Sequence, residues 1–240
     1  MKKIITLSLT ILLTVSLQAQ WGKRIKGNGN ITTIEKSTGD YDAIAVSGFF
    51  DVDLVNGNEG DIILKGEENL LKHIIVEVKN GKLVIKTKKG YNLRTSFNKE
   101  IRITVPVESI NKITLSGSGD IVGKKLIKAS DFSTSMSGSG DITLKIEADS
   151  IKATMSGSGD INLSGKTTNL EVRISGSGDI AAFGLDAENV NATISGSADI
   201  QVTAHKMIKA RVSGSGDIEY RGNPTKVDTK TSGSGDITKR

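Results

Sequence analysis

Seven aspartates recur along the second half of the chain, each at the same place in a short motif. The motif Ser-Gly-Ser-Gly-Asp-Ile begins at residues 116, 137, 156, 175, 213 and 232, and a copy at residue 195 has alanine for its second glycine. Carboxylates repeated in this way could bind calcium, act as general acids and bases, or hydrogen-bond to the backbone of a glycine turn. The aspartates are Asp120, Asp141, Asp160, Asp179, Asp199, Asp217 and Asp236.

Among these three chemistries, hydrogen bonding best fits an identical aspartate in every copy, because a carboxylate can fix a bend by accepting from glycine-turn amides or serine hydroxyls. Calcium stays open as a hypothesis, since a column of carboxylates supplies oxygen ligands. A glycosidase needs two carboxylates in different environments, and equivalent aspartates give no reason for a pair to differ. The two histidines, His73 and His205, have no metal or nucleophile spacing. We therefore predict no catalytic residues.

Apolar and polar residues alternate on both sides of each motif. Ahead of the third copy, Ile151, Ala153 and Met155 share a parity with the isoleucine that ends the motif, whereas the serines and the aspartate have the opposite parity. A period of two predicts strands with one buried face. About 13 alternating residues would span roughly 43 Å if straight, so the chain must bend at the glycines. We expect the rest of each repeat, such as residues 165–168 or 222–224, to form the closing turn.

One such coil cannot bury its own apolar face, so successive coils must stack. We predict an all-β fold, a right-handed parallel β-solenoid with coils of about 19 residues and an N-terminal capping hairpin. A β-sandwich of hairpins is the alternative, but it does not explain one motif at one fixed phase. On a solenoid the serines line one exposed face, and the candidate binding residues are Ser116, Ser118, Ser137, Ser139, Ser156, Ser158, Ser175, Ser177, Ser195, Ser197, Ser213 and Ser215.

The chain ahead of the repeats is less regular and holds six of the nine aromatic residues. Residues 46–52 are a degenerate motif copy, and residues 76–86, with Asn-Gly at their centre, predict a type I′ hairpin. Residues 67–74 could form one or two helical turns. We predict that residues 40–105 form irregular first coils and a cap, and that residues 106–238 form the regular repeats.

The N-terminus has the pattern of a secretory signal peptide, which we place at residues 1–19, followed by a leader at residues 20–39. Lys2 and Lys3 precede an apolar stretch over residues 4–17, which is too short to span a bilayer. The net charge of +5 falls to +3 without these two lysines, so we expect no nucleic-acid partner. Because the chain has no cysteine, disulfides, thiolate metal sites and thiol nucleophiles are excluded.

Over roughly residues 40 to 238 the chain resembles the auto-transporter adhesin head-GIN domain family of secreted Bacteroidetes proteins. The resemblance rests on residues 41–52, Tyr-Asp-Ala-Ile-Ala-Val-Ser-Gly-Phe-Phe-Asp-Val, on residues 80–85, Asn-Gly-Lys-Leu-Val-Ile, and on the Ser-Gly-Ser-Gly-Asp-Ile array. It implies a β-helical fold, an exported location and an adhesive role, with no established catalytic residues.

Together these features predict an exported, non-enzymatic β-solenoid without a cofactor or a membrane span. Its serine-, threonine- and aspartate-lined face would bind a glycan, another envelope component or a host surface. The location would be the periplasm, the outer-membrane surface or the outside of the cell. A structural or assembly protein that pairs end to end as a homo-oligomer is the alternative, and a polysaccharide-active β-helix enzyme fits the residues less well.

Overall fold

A computed structural model describes residues 22–240, and strands make up 71% of it against 2% helix. Parallel coils about 19 residues apart stack into a solenoid of about seven turns, which confirms the predicted fold class. The segment assigned to the signal peptide, residues 1–19, lies outside the described residues.

In the regular repeats, the five long strands β11 to β15 each begin at the isoleucine of one motif and end at the first glycine of the next. Neighbouring strands are parallel and in register, so that Ser137 pairs with Ser116 on one side and with Ser156 on the other. Pairing is broken at the second half of the motif, where the chain bends as predicted, and the register also shifts within some coils, as between Val122 and Leu126. The strands are β10 (Lys112–Gly117), β11 (Ile121–Gly138), β12 (Ile142–Gly157), β13 (Ile161–Gly176), β14 (Ile180–Gly196), β15 (Ile200–Gly214), β16 (Ile218–Arg221), β17 (Lys226–Gly233) and β18 (Ile237–Lys239).

The closing turn that we expected at residues 165–168 is a paired part of the coil instead. Gly165 and Thr167 lie within β13 and pair with Ile146 and Ala148 of β12. The expectation was wrong there because every residue of a stacked coil can pair with its equivalent in the coil below, so a change of direction need not break the ladder. Residues 222–224 do leave the sheet, between β16 and β17.

The core is a set of stacked apolar columns that run through the coils. The motif isoleucines from Ile121 to Ile218 have 0% exposure, as do the alanines Ala153, Ala192 and Ala210. Removing each isoleucine side chain from water contributes about 1.5–3 kcal/mol. The narrow interior therefore explains why the chain folds with few aromatic residues.

The degenerate copy near the N-terminus forms the first coil, and a hairpin covers its outer edge. Strands β3 and β4 pair with β10 and β11 so that Ser47 and Gly48 stand opposite Ser116 and Gly117. In the hairpin, which confirms the predicted cap, the two turn residues Asn80 and Gly81 both have positive φ, as a type I′ turn requires. The N-terminal elements are β1 (Lys23–Lys26), β2 (Ile31–Ser37), β3 (Ala43–Gly48), β4 (Asp51–Asn56), β5 (Asp61–Glu67), α1 (Glu68–Leu71), β6 (Ile74–Lys79), β7 (Lys82–Thr87), β8 (Tyr91–Arg94) and β9 (Arg102–Val107).

The segment that we named a leader contains two strands that belong to the folded unit. β1 pairs in parallel with β8, and β2 pairs antiparallel with β5. The domain boundary at residue 40 and the other domain bounds stay predictions.

One buried carboxylate, that of Glu67, fastens this N-terminal segment to the solenoid. It has 0% exposure and accepts hydrogen bonds from the Gly29 amide at 2.6 Å, from the Ser96 amide at 2.8 Å and from the Ser96 hydroxyl. Burial alone would raise the pKa of Glu67, but these hydrogen bonds and the charge of Lys99 together hold that pKa below its usual value. Glu67 is therefore an ionised group held by backbone and hydroxyl donors.

The C-terminal coil, in contrast, contains a strand with no buried residue, β17. All eight residues of β17 are exposed, and Thr229 and Thr231 take the places that apolar residues hold in earlier coils. β17 also carries Lys226 and Lys230, and lysine at a strand edge disfavours pairing with other chains. Polar and charged residues thus replace core residues where stacking ends within the described chain.

Candidate functional site

The serines predicted to form a binding face do lie together on one side of the solenoid. All twelve are exposed, and the register places them in two columns with about 4.8 Å between neighbouring coils. Ser47 of β3 extends the first column to the N-terminal coil. We call these two columns the serine face.

The hydroxyl groups of the serine face are free. None of them hydrogen-bonds to another residue between positions 22 and 240, although serines elsewhere do, such as Ser37 with Asp61 at 3.1 Å. Serine hydroxyls are therefore not what holds the motif in shape. They remain available to donate and accept hydrogen bonds with a ligand.

A third polar column lies beside the serine face, two residues before the first serine of each motif. Its members are Thr114, Ser135, Thr154, Arg173, Thr193 and Arg211, and each is at least partly exposed. Arg173 contacts Glu171 at 2.6 Å, and Arg211 contacts Asp228 at 2.5 Å. This column widens the hydroxyl-rich surface and adds paired charges at its C-terminal end.

The two glycines of each motif have different tasks. The first has φ between 129° and 157° in six of the seven copies, a conformation that favours glycine. A Cβ atom on Gly138, for example, would lie 2.0 Å from the carbonyl oxygen of Gly117 in the coil below. The second glycine is buried and faces inward, and in the copy with Ala198 the methyl group occupies that interior position with 0% exposure. The first glycine forms the bend with its positive φ, whereas the second allows a close approach of the coils away from that bend, since a Cβ on Gly140 would lie 2.0 Å from the Gly119 carbonyl oxygen.

The seven aspartates form the predicted column, and the first six carboxylates each bind the next coil. The Oδ1 atom of each accepts a hydrogen bond from the backbone amide of the aspartate one coil towards the C-terminus, at 2.7–3.1 Å over the six steps. Asp51 of the first coil adds a longer contact of 3.4 Å to the Asp120 amide. The predicted donors were glycine-turn amides or serine hydroxyls, but the donor is the backbone amide of the equivalent aspartate in the next coil. We call this series the aspartate ladder.

The aspartate ladder fills a gap in the backbone pairing. The carbonyl oxygen of each aspartate still accepts from the isoleucine amide of the preceding coil, as between Asp160 and Ile142 at 2.9 Å. Its amide, however, meets a side chain instead of a carbonyl, because the glycine bend has turned the backbone of the preceding coil away. At the N-terminal end, burial raises the pKa of Asp51, the Asp120 amide opposes that rise, and the negative charge of Asp120 adds to it.

The calcium hypothesis stays a prediction. Among residues 22–240 no group of three or more histidine, aspartate or glutamate side chains is arranged to hold a metal ion. Each carboxylate of the ladder already uses one oxygen on an amide, which leaves one oxygen per coil for any other ligand. His205 is exposed, and its Nε2 atom lies 3.2 Å from the Asp186 carboxylate.

Replacing Asp160 with alanine should lower the free energy of unfolding by about 1–2 kcal/mol, because the Asp179 amide loses its acceptor. Asp160→Asn keeps an acceptor oxygen and removes one of a row of like charges, so its stability should stay within about 0.5 kcal/mol of the parent. Urea denaturation of the three proteins measures both changes. Equal losses in the two variants would show that the charge, and not the acceptor, matters.

The stacked coils with their single hydroxyl face define a parallel β-solenoid built to display one repeated surface. The chain belongs to the family described as "Putative auto-transporter adhesin, head GIN domain", whose model matches residues 40–224. This confirms the resemblance noted in the sequence. No curated protein matches the chain closely enough to be named as a relative.

Several crystal structures are similar to this one. A "putative adhesin" from Bacteroides fragilis is 25% identical, with a TM-score of 0.83 over 90% of this chain and 100% of that one. A "putative lipid binding protein" from Parabacteroides distasonis is 28% identical, with a TM-score of 0.76 over 91% of this chain and 100% of that one. A "putative adhesin" from Parabacteroides merdae, 21% identical with a TM-score of 0.69 over 91% of this chain and 99% of that one, shares the fold. No helix of the described residues is long and apolar enough to cross a membrane.

Proposed function

We propose that the protein is an exported, non-enzymatic binding module that attaches to a glycan or to an envelope or host surface through its serine face. The observation that carries this proposal is the set of exposed serine hydroxyls that bond to nothing else in the described chain. The aspartate ladder holds the bend without them, so the fold alone does not require a hydroxyl at these positions.

A repeated hydroxyl array suits a repeated polar ligand. Each hydroxyl can donate one hydrogen bond and accept two, and its equivalents recur about every 4.8 Å along the solenoid. A single such bond contributes only about 0.5–1.5 kcal/mol after water is displaced. Useful affinity therefore needs several coils to bind at once, and a polysaccharide or another extended surface can provide that.

The family description and the name of one similar crystal structure support an adhesive role. One similar structure carries a lipid-binding name instead, so lipid is a further ligand class to test. Export rests on the signal-like sequence of residues 1–19, and the family of adhesin-type proteins is consistent with a surface location.

Substitution of three central serines, Ser137, Ser156 and Ser175, by alanine should weaken binding to any true ligand by about tenfold or more, because each lost hydrogen bond costs about 0.5–1.5 kcal/mol. Ligands would first be sought with arrays of glycans, matrix proteins and lipid vesicles. A matched control replaces Thr143, Asn162 and Thr168, which are exposed on the same coils away from the serine face, by alanine. Equal binding by the serine variant and the parent would refute the proposal.

An assembly protein of the periplasm or outer membrane is the second candidate. The exposed backbone edge of β17 favours it, whereas Lys226 and Lys230 on that strand oppose it. Such a protein would be shielded from proteases added outside the cell, whereas an adhesin must be digested. Protease treatment of intact cells, with a periplasmic protein as the control, distinguishes the two locations.

A further inference from the structure

A cavity of about 670 Å³ opens at the capped end of the solenoid, away from the regular repeats. Phe49 and Tyr91, both half-buried, line it together with Lys89 and Thr87. Half-buried aromatic rings beside a lysine are the usual components of a site for a ligand with one apolar and one charged part.

Phe49 is an exception to the repeat. By register with Ser47 and Gly48 it takes the position of the second motif serine, which is Ser118 in the next coil and serine in every regular copy. Its ring lies 5.1 Å from that of Phe50 and packs on the core, yet part of it faces the cavity. The only aromatic residue in the serine columns therefore stands at this cavity.

Tyr91 is held firmly in place on the other side. The His73 ring stacks on it, with 4.2 Å between ring centroids and 27° between planes. The turn before it is fixed by the Tyr91 amide, which donates to the Lys88 carbonyl at 3.2 Å, and by the Lys23 amide, which donates to the Gly90 carbonyl at 2.7 Å. A ring restrained in this way loses little freedom when a ligand packs against it.

Lys89 lines the cavity, and three further lysines lie near His73, which stacks on Tyr91. Lys23, Lys72, Lys88 and Lys89 form no ion pair with any carboxylate in the part of the chain that the structure describes. The Lys88 ammonium lies 5.9 Å from the Tyr91 ring centre. Burial, together with the charges of Lys72, Lys88 and Lys23, lowers the pKa of His73, so the ring is neutral at neutral pH and can donate or accept a hydrogen bond.

We propose that this cavity binds an acidic saccharide, a sugar unit that carries a carboxylate or a sulfate. The apolar C–H face of a sugar ring can pack against Phe49 and Tyr91, and its anionic group can meet the unpaired lysines. A free inorganic anion would use the lysines but would leave the aromatic rings without a partner. The site adjoins the serine face at Phe49, but no serine lines the cavity, so the two surfaces can be altered by separate substitutions.

Isothermal titration of the full chain at low salt with trigalacturonic acid, and with its neutral methyl ester, tests this site. We expect the acid to bind at least tenfold more tightly than the ester, because the ester cannot attract the lysines. Lys88→Gln combined with Lys89→Gln should weaken binding of the acid about tenfold. Phe49→Ser, which restores the residue of the regular motif and so suits the bend, should weaken binding of both sugars.

The control pair Lys145→Gln and Lys209→Gln removes the same charge from exposed, unpaired positions on later coils and should change the Kd of the acid less than twofold. If both double lysine variants lost the same amount of affinity for the acid, general charge attraction would explain the binding, and the proposed site would be wrong. Unchanged binding by a folded Phe49→Ser protein would also overturn it. If the triple serine variant lost binding of the acid, the acid would bind at the serine face. That result would contradict this proposal but would agree with the proposed function.

Discussion

Replacing Gly138 with alanine should destabilise the protein by about 3 kcal/mol or more, one of the two largest effects expected of any single substitution here. The new Cβ would lie 2.0 Å from the Gly117 carbonyl oxygen, and the residue would also have to adopt a φ of +148°. Neither problem can be relieved by a side-chain rotation, because the obstacle is the backbone of the neighbouring coil. The two coils must therefore move apart or the bend must change.

Two matched variants isolate this effect in urea denaturation. Gly39→Ala adds the same methyl group where nothing lies within 4 Å and should cost less than about 1 kcal/mol. Ala198→Gly returns the odd copy to the regular motif at the inward-facing position and removes one buried methyl group, at a cost of about 1 kcal/mol. A loss at Gly138 no greater than at Gly39 would contradict the proposed role of the first motif glycine.

Replacing Glu67 with alanine should cost about 3 kcal/mol, because two amides and one hydroxyl lose their only acceptor at a buried site. Glu67→Gln should cost less, because its carbonyl oxygen can still accept from the Gly29 amide and the Ser96 hydroxyl, whereas its NH2 group cannot accept from the Ser96 amide. The exposed neighbour Glu68 provides the control, and Glu68→Ala should stay within about 0.5 kcal/mol of the parent.

The contribution of Glu67 also depends on pH. Its pKa in the folded protein is lower than the ordinary value of 4.5, so the unfolded chain takes up the proton first as the pH falls. The stabilisation by this group is therefore complete above about pH 5 and is lost between the ordinary pKa and the lower folded one. Parent and Glu67→Gln should converge in unfolding free energy as the pH falls through that range, and a constant difference would contradict it.

The repeated part of this fold is predictable from sequence because each residue has the same surroundings in every coil. Period-two alternation fixed which residues face the core, and the recurrence of Ser-Gly-Ser-Gly-Asp-Ile located the bend and the exposed serines. The same pattern could not show that the donor to each carboxylate is the next aspartate's amide. That partner depends on how far the glycine bend turns the backbone, which the spacing of residues does not specify.

The segment ahead of the repeats was harder to predict, because each of its interactions joins residues far apart in sequence and occurs in a single place. Glu67 binds Gly29 and Ser96, which are 38 and 29 residues away, and no repetition marks the three as partners. The cavity at Phe49 and Tyr91 likewise combines the bend between β3 and β4 with strand β8, which pairs only with β1. The one available signal was Phe49 itself, an aromatic residue at a position that is otherwise serine.

The aspartate ladder makes the single coil the unit in which this protein can change length. Each carboxylate of the ladder bonds only to the adjacent coil, so adding or removing a complete repeat leaves the aspartate ladder continuous. A change of one residue would instead invert the alternation and expose the core columns. Duplication or loss of whole repeats could thus adjust the number of simultaneous contacts with a ligand, and with it the avidity, without altering the chemistry of any one contact.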